Sequence, residues 1–169
     1  YKRQFPHCVP TGIRHGTVTV LLDGVSAEVT TYRLDGAYHD GRHPDGVRFV
    51  RSLAEDLARR DFTINAMAMD EHGAITDLFG GREDLSRRAI RCVGEPETRF
   101  REDALRMLRA YRFAAQLGFS LDAQTQAAIR RCAPLCASLS RERVREEAEK
   151  TLLSDRPEYF GRMLAEGLL

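Results

Sequence analysis

The chain has no tryptophan, only four cysteines and almost no lysine: 24 of its 26 basic residues are arginine. No apolar run approaches the roughly 20 residues that cross a bilayer, and no signal-peptide pattern opens the sequence. These absences argue against membrane insertion and export. Cys8, Cys92, Cys132 and Cys136 are too few and too irregular for a disulfide framework. No histidine stands near the Cys132/Cys136 pair at zinc-ligand spacing. The expected setting is a reducing cytoplasm with structural thiols. An excess of either charge is missing too: 26 basic residues face 25 acidic ones. That balance says nothing about nucleic acid, because phosphate binding needs a local patch rather than a whole-chain surplus. Internal repeats and low-complexity tracts are absent, and no Asp-x-Asp occurs anywhere in the 169 residues.

What is present is a change of pattern along the chain. Thr17 to Leu22 is β-rich, Asp23-Gly24 is a tight-turn signal, and Ala27 to Tyr32 returns with alternating character, which predicts a β-hairpin. Alternation puts Glu28, Thr30 and Tyr32 on one face, so Glu28 is a carboxylate on a rigid strand. Residues 34–47 are polar and turn-rich and predict a flexible loop, either a binding element or a plain surface excursion. Ser52 and Glu55 form a capping-box pattern that starts a short helix at Leu53 and carries Arg59, Arg60 and Asp61 to its end. A helical turn is expected at Thr63 to Ala66. A second hairpin is expected from Met67 to Leu78 around Glu71-His72-Gly73.

After Gly80-Gly81 the spacing becomes helical. Helices are predicted at Asp84 to Ile90, Arg101 to Leu117, Asp122 to Cys132, Ser140 to Leu153 with Ser140 as cap, and Pro157 to Glu166. Tyr1 is not an initiator methionine and the first segment runs straight into strand-like sequence, so the chain reads as a fragment.

From Arg82 to Arg112 nine arginines accompany six carboxylates. Codon bias is one explanation for the arginine excess; the planar, bidentate guanidinium, suited to phosphates and base edges, is another. On the Arg101 to Leu117 helix, at about 100° per residue, Ala104, Leu108, Tyr111 and Ala115 form a core stripe. Glu102, Arg106 and Arg109 fall on the other side, with Asp103 one turn from Arg106. Cytosine and adenine each present an amino donor beside a ring-nitrogen acceptor, which a carboxylate plus an arginine would match. Guanine and uracil present the reverse pattern. On spacing alone, ordinary helix salt bridging is the simpler explanation.

In order along the chain, Gly16-Thr17-Val18-Thr19-Val20, Glu28-Val29-Thr30-Thr31-Tyr32-Arg33, Arg59-Arg60-Asp61-Phe62-Thr63-Ile64-Asn65-Ala66, Asp77-Leu78-Phe79-Gly80-Gly81 and Arg101-Glu102-Asp103-Ala104-Leu105-Arg106 resemble the bacterial-type, class II tRNA nucleotidyltransferases, the CCA-adding enzymes, and the related bacterial poly(A) polymerases. The resemblance covers about 130 residues as ordered motifs rather than one short match. It implies an α+β fold: residues 1–81 as the later part of a polymerase-β-like head with antiparallel hairpins, 82–153 as an all-α neck that recognises the base, and 154–169 as the start of a helical body.

By this resemblance Glu28 corresponds to a catalytic carboxylate of the head. Arg60 corresponds to a nucleotide-contacting arginine, Asp61 to the residue sensing the ribose 2′-hydroxyl, and Asn65 to either scaffolding or a nucleotide contact. Asp103 and Arg106 correspond to the protein template for the incoming base, Glu102 to the residue holding Arg106, and Arg109 and Arg112 to phosphate-facing arginines. The wheel supports Arg112 less well, since it lies about 80° from that stripe. The implied reaction joins CMP and AMP from CTP and ATP to the tRNA 3′ end with loss of pyrophosphate, assisted by Mg²⁺. The principal metal ligands, an upstream Asp-x-Asp, are missing, so the fragment alone is expected to be inactive. A poly(A) polymerase and a non-catalytic nucleotide- or RNA-binding remnant are the alternatives. His39-Asp40 has no second His-Asp constellation to support a metal phosphohydrolase.

Overall fold

The computed structural model describes residues 5, 7–13, 16–35 and 47–169. They fall into two compact units, divided between Asp56 and Leu57.

In the first unit the predicted hairpin forms: β2 (Thr17–Leu22) pairs antiparallel with β3 (Val25–Thr30) in unbroken register, and β1 (Cys8–Gly12), which the sequence pattern did not reveal, adds to the free edge of β2. Asp23 and Gly24 both take positive φ, 47° and 81°. That suits the two-residue turn that matches strand twist, where an Asp tolerates the left-handed region and glycine occupies it freely. Glu28 sits on β3 opposite Thr19 and is exposed. Of the expected 34–47 loop, residues 36–46, with His39 and Asp40, lie outside the described residues. Its ends are not loop: β4 (Arg33–Asp35) pairs antiparallel with β5 (Val47–Phe49). The Arg33 N–H donates to the buried Asp56 carboxylate, tying β4 to the helix α1 (Leu53–Ala58). The Ser52 hydroxyl accepts the Glu55 N–H at 3.3 Å, one half of the expected capping box. This helix stops at Ala58, before Arg59, Arg60 and Asp61.

The second unit opens on Asp61 to Thr63, which run alongside Arg91 to Val93: Thr63 N donates to Arg91 O, Val93 N to Asp61 O, and Phe62 bridges Cys92. A 3-10 turn at Thr63–Asn65 leads into the second predicted hairpin, β6 (Met67–Met69) with β7 (Ile75–Asp77). Next comes α2 (Gly81–Arg87). A side chain at Gly81 would place its Cβ 2.3 Å from the Thr63 carbonyl oxygen, so the close approach of helix and turn requires glycine. The buried Asp84 accepts from Thr63 Oγ1 and pairs with Arg91 at 2.8 Å, closing the same junction.

Asp77 caps α2 from outside, accepting the N–H groups of Gly81 at 2.8 Å, Arg82 at 2.9 Å and Phe79 at 3.3 Å. These bonds, that of Arg82 first, hold the Asp77 carboxyl below its ordinary value. A depressed carboxylate pKa contributes stability that is complete above the unfolded value and is lost as pH falls through the lower folded one. Asp77→Ala should therefore cost about 1 kcal/mol in urea unfolding at neutral pH. Its deficit relative to the native protein should shrink as the pH is taken into the acid range below the ordinary carboxylate value. A deficit independent of pH would contradict the capping role.

Two expectations for the second unit need correction. The predicted Asp84 to Ile90 helix ends at Arg87, where Arg88 turns left-handed (φ 54°). Beyond it β8 (Ala89–Ile90) pairs in parallel with β9 (Ser120–Leu121), a short ladder within an otherwise helical region. The single helix expected from Arg101 to Leu117 is two: α3 (Pro96–Glu102) and α4 (Leu105–Leu117). Asp103 between them is extended, at φ −147° and ψ 106°, and its Oδ1 accepts the Leu105 N–H at 3.0 Å. A short acidic side chain that bonds the backbone two residues on competes with helix continuation.

The remaining helices follow the predicted spans closely: α5 (Ala123–Cys132) with Asp122 capping two N–H groups, α6 (Arg141–Leu152) and α7 (Glu158–Ala165). Ser140 precedes α6 but its hydroxyl makes no capping bond. The expected stripe of Ala104, Leu108, Tyr111 and Ala115 is buried, and so are Met107, Ala110 and Ala114. Helix α4 is thus enclosed around most of its circumference, packing on α3, α6, α7, β8 and β9. Its arginines consequently sit among packed groups, where each requires a partner.

Candidate functional site

The charged residues singled out between Arg59 and Arg112 converge in the second unit, built from the segment after α1, the α3–α4 break and one face of α6. Arg106 is the hub. Its side chain is only 10% exposed, not the open polar face the wheel implied. Nη1 donates to Glu102 Oε2 at 2.6 Å and to the Arg99 carbonyl at 3.2 Å, while Nη2 donates to the Arg59 carbonyl at 3.2 Å. The Glu102–Arg106 pairing expected from sequence is present although the two residues belong to different helices.

Asp103 is placed by the break rather than by helical periodicity. Its Oδ2 accepts from Arg143 Nη2 on α6 at 2.8 Å, and its side chain is 19% exposed. Counting valences shows what remains. A guanidinium carries five N–H donors and a carboxylate about four acceptor sites. Arg106 spends three donors on the partners above. Asp103 uses one acceptor on Leu105 N and one on Arg143. Each keeps capacity for a further polar ligand.

Asp61 differs. Its Oδ1 accepts from Phe62 N at 2.9 Å and Asn65 Nδ2 at 3.2 Å, and its Oδ2 from Arg109 Nε at 2.9 Å and Nη2 at 2.7 Å. All four acceptor sites are filled. Asn65 is thereby a scaffold for Asp61, and its carbonyl also receives Arg60 Nη1 at 3.0 Å.

Arg112, expected to face phosphate or solvent, does neither. It is buried, with Nε on Glu147 of α6, Nη1 on Gln116 and its guanidinium 4.0 Å from the centre of the Phe113 ring. The sequence reading missed Arg99, Arg143 and Glu147. Arg143 and Glu147 stand four apart on α6, a spacing that reads as an ordinary surface pair, and only packing turns both toward α4.

Neither the thiols nor the cavity beside the second hairpin competes for this role. Burial pushes the Cys92 and Cys136 thiols up to about 12, leaving them inert. A cavity of about 360 Å³ beside the β6–β7 hairpin is lined by Met67, Met69, Ile75 and Leu85, with Arg82 as its one charged residue. No group of three or more His, Cys, Asp or Glu side chains suited to a metal occurs among the described residues. No helix is long and apolar enough to cross a membrane, among those residues.

Known proteins share this sequence and this fold. Residues 1–91 match the family described as the Poly A polymerase head domain, and residues 118–169 match the probable RNA and SrmB-binding site of polymerase A. The chain is 59% identical over 148 residues to the CCA-adding enzyme of Geobacillus thermodenitrificans, covering 88% of this chain and 37% of that protein. The crystal structure of the Bacillus stearothermophilus CCA-adding enzyme in complex with CTP superposes with a TM-score of 0.87 at 53% identity, over 97% of this chain and 40% of that one. The Thermotoga maritima CCA-adding enzyme complexed with tRNA gives a TM-score of 0.78 at 27% identity, over 99% of this chain and 38% of that one. The chain thus spans well under half the length of these relatives. With the family match running through more than half of its residues, and its fold shared with solved relatives, the chain belongs to the Poly A polymerase head-domain family.

Proposed function

We propose that the full-length protein carrying this chain is a tRNA nucleotidyltransferase that adds C and A to the tRNA 3′ end from CTP and ATP, releasing pyrophosphate. The observation that carries this reading is the paired residual capacity of Asp103 and Arg106: an acceptor and a donor, anchored by Arg143, Glu102 and two backbone carbonyls. Asp103 accepts the exocyclic amino group of cytosine or adenine while Arg106 donates to the neighbouring ring nitrogen. Uracil and guanine meet donor with donor and acceptor with acceptor, which in a desolvated site costs about 1–3 kcal/mol per failed group. The named relatives, one of them in complex with CTP and one with tRNA, support the same substrates.

Asp61, with its acceptors filled, meets a ribose 2′-hydroxyl by giving up Arg109, which is then free for a phosphate oxygen. Arg60 contributes a further nucleotide contact. Arg112 acts as a structural residue, paired with Glu147 and held by Gln116 and the Phe113 ring. Glu28 is the head carboxylate of the reaction centre. Mg²⁺ would be held by the upstream Asp-x-Asp of the full-length protein together with Glu28, and would supply charge stabilisation at the transferring phosphate. The 169-residue chain alone is accordingly expected to release no pyrophosphate. Residues 1–81 form the later part of the head, 82–153 the neck and 154–169 the start of the body. The setting is the reducing cytoplasm, where the free thiols of Cys8, Cys92, Cys132 and Cys136 persist.

Because the matching family bears the name of poly(A) polymerase, ATP-only tailing is the competing activity. Incubating the full-length protein with tRNA lacking its 3′ CCA and all four nucleotides, then sequencing the products, decides between them. Ends reading CCA are expected. Homopolymeric A tails without C would replace this reading with the second.

A further inference from the structure

The Arg99 side chain holds no role in this reading, yet three contacts of the residue meet Glu102, Asp103 and Arg106, and a fourth reaches Ala58. Its Nη1 lies 3.1 Å from Glu102 Oε2, the same oxygen that receives Arg106. Its carbonyl accepts the other Arg106 Nη1 bond at 3.2 Å and also the Asp103 N–H at 3.3 Å. The Nη1 group further reaches the Ala58 carbonyl at 3.4 Å, beside the Arg59 carbonyl that Arg106 uses. Arg99 thus touches Glu102, Asp103 and Arg106 at once, and anchors them to the last residue of α1.

The cost of this placement is visible. Arg99 Nε is buried with no hydrogen-bond partner among the described residues, and the side chain is 20% exposed. A buried donor left unsatisfied is unfavourable, and an apolar side chain of similar length would fill the same space without that penalty. A guanidinium kept there despite it does something an apolar stem cannot. It supplies Glu102 with a second cation, which stops the carboxylate from rotating with Arg106 and fixes the direction of the donors that Arg106 keeps for a base.

We propose that Arg99 is the positioning residue of the base-reading site, setting the orientation of Arg106 through Glu102 and thereby the discrimination of cytosine from uracil and of adenine from guanine. This rests on the assignment of Asp103 and Arg106 as the template. Arg99 makes no contact with the nucleotide itself. Its removal therefore acts on selectivity, because a misaimed Arg106 still carries its charge and donors but no longer presents them along the ring-nitrogen direction.

The test uses the full-length protein with tRNA ending before CCA, measuring kcat/KM for CTP, UTP, ATP and GTP. Arg99→Met keeps the stem and removes the guanidinium; Arg99→Lys restores a cation without the fork; Arg106→Ala is the reference. Arg99→Met should lower the CTP/UTP and ATP/GTP ratios by roughly tenfold, with the KM for tRNA unchanged, and Arg99→Lys should recover part of the loss even if the Met variant folds poorly. In a Glu102→Gln background Arg99→Met should add little, because both act through one carboxylate. Ratios preserved in the Arg99 variants while Arg106→Ala collapses them would overturn the proposal and leave the template assignment standing. A uniform fall for all four nucleotides would overturn it in the same way. Ratios unchanged even in Arg106→Ala would remove the template assignment, and this proposal with it.

Discussion

Replacing Arg106 with alanine in the full-length protein should lower kcat/KM for CTP and ATP together, by about one to two orders of magnitude, and leave the KM for tRNA nearly unchanged. The joint loss follows from the chemistry of the two bases: each offers a ring nitrogen that accepts beside an amino group that donates, so one guanidinium serves both. The size follows from burial. Arg106 is 8% exposed, and removing it strips Glu102 of its closer cation and leaves the Arg99 and Arg59 carbonyls without that donor. Steady-state kinetics with each nucleotide varied separately gives the answer. A loss confined to one nucleotide would mean that two different surfaces read C and A.

The second large effect concerns stability. Glu147→Leu removes the partner of Arg112 at a position where Glu147 is 4% and Arg112 9% exposed. The arginine keeps Gln116 and the Phe113 ring but loses its counter-charge. Breaking a buried pair from one side costs about 3–5 kcal/mol, whereas replacing both partners by apolar groups of similar volume is often neutral. Urea unfolding should therefore show a large deficit for Glu147→Leu and recovery of most of it in Arg112→Leu/Glu147→Leu. A double variant as unstable as the single one would mean that the guanidinium itself holds α4 against α6.

Much of this was legible in the sequence because it depends on short-range chemistry. Asp23-Gly24 demands a tight turn whatever surrounds it. Ala104, Leu108, Tyr111 and Ala115 declare an apolar stripe, and the end of α4 at Leu117 and the span of α5 follow from helical spacing. The misses share a physical cause. A three-residue pairing such as β4 with β5, or the two-residue ladder of β8 with β9, has too few positions to show alternation, and exists because distant segments meet. Helical periodicity was carried through Asp103, since nothing in the residue types of Arg101 to Leu105 shows that the carboxylate bonds the Leu105 N–H instead of letting the helix run on. Arg112 was assigned to phosphate by the family resemblance, with little support from the wheel, and neither shows what packs on a residue. Here Glu147 of α6 does. The site's charge types were legible; their partners were long-range and were not.

The account stands on an amino acid carboxylate recognising a nucleobase amino group, and a substrate lacking that group tests it most directly. CTP is compared with the triphosphate of 2-pyrimidinone ribonucleoside, which has hydrogen in place of the amino group, using native protein and Asp103→Ala. The native protein should prefer CTP by roughly tenfold or more, and Asp103→Ala should abolish most of that preference, giving a coupling between side chain and amino group on the order of 1–3 kcal/mol. An undiminished preference for CTP in Asp103→Ala would contradict the account, because the amino group would then be read elsewhere.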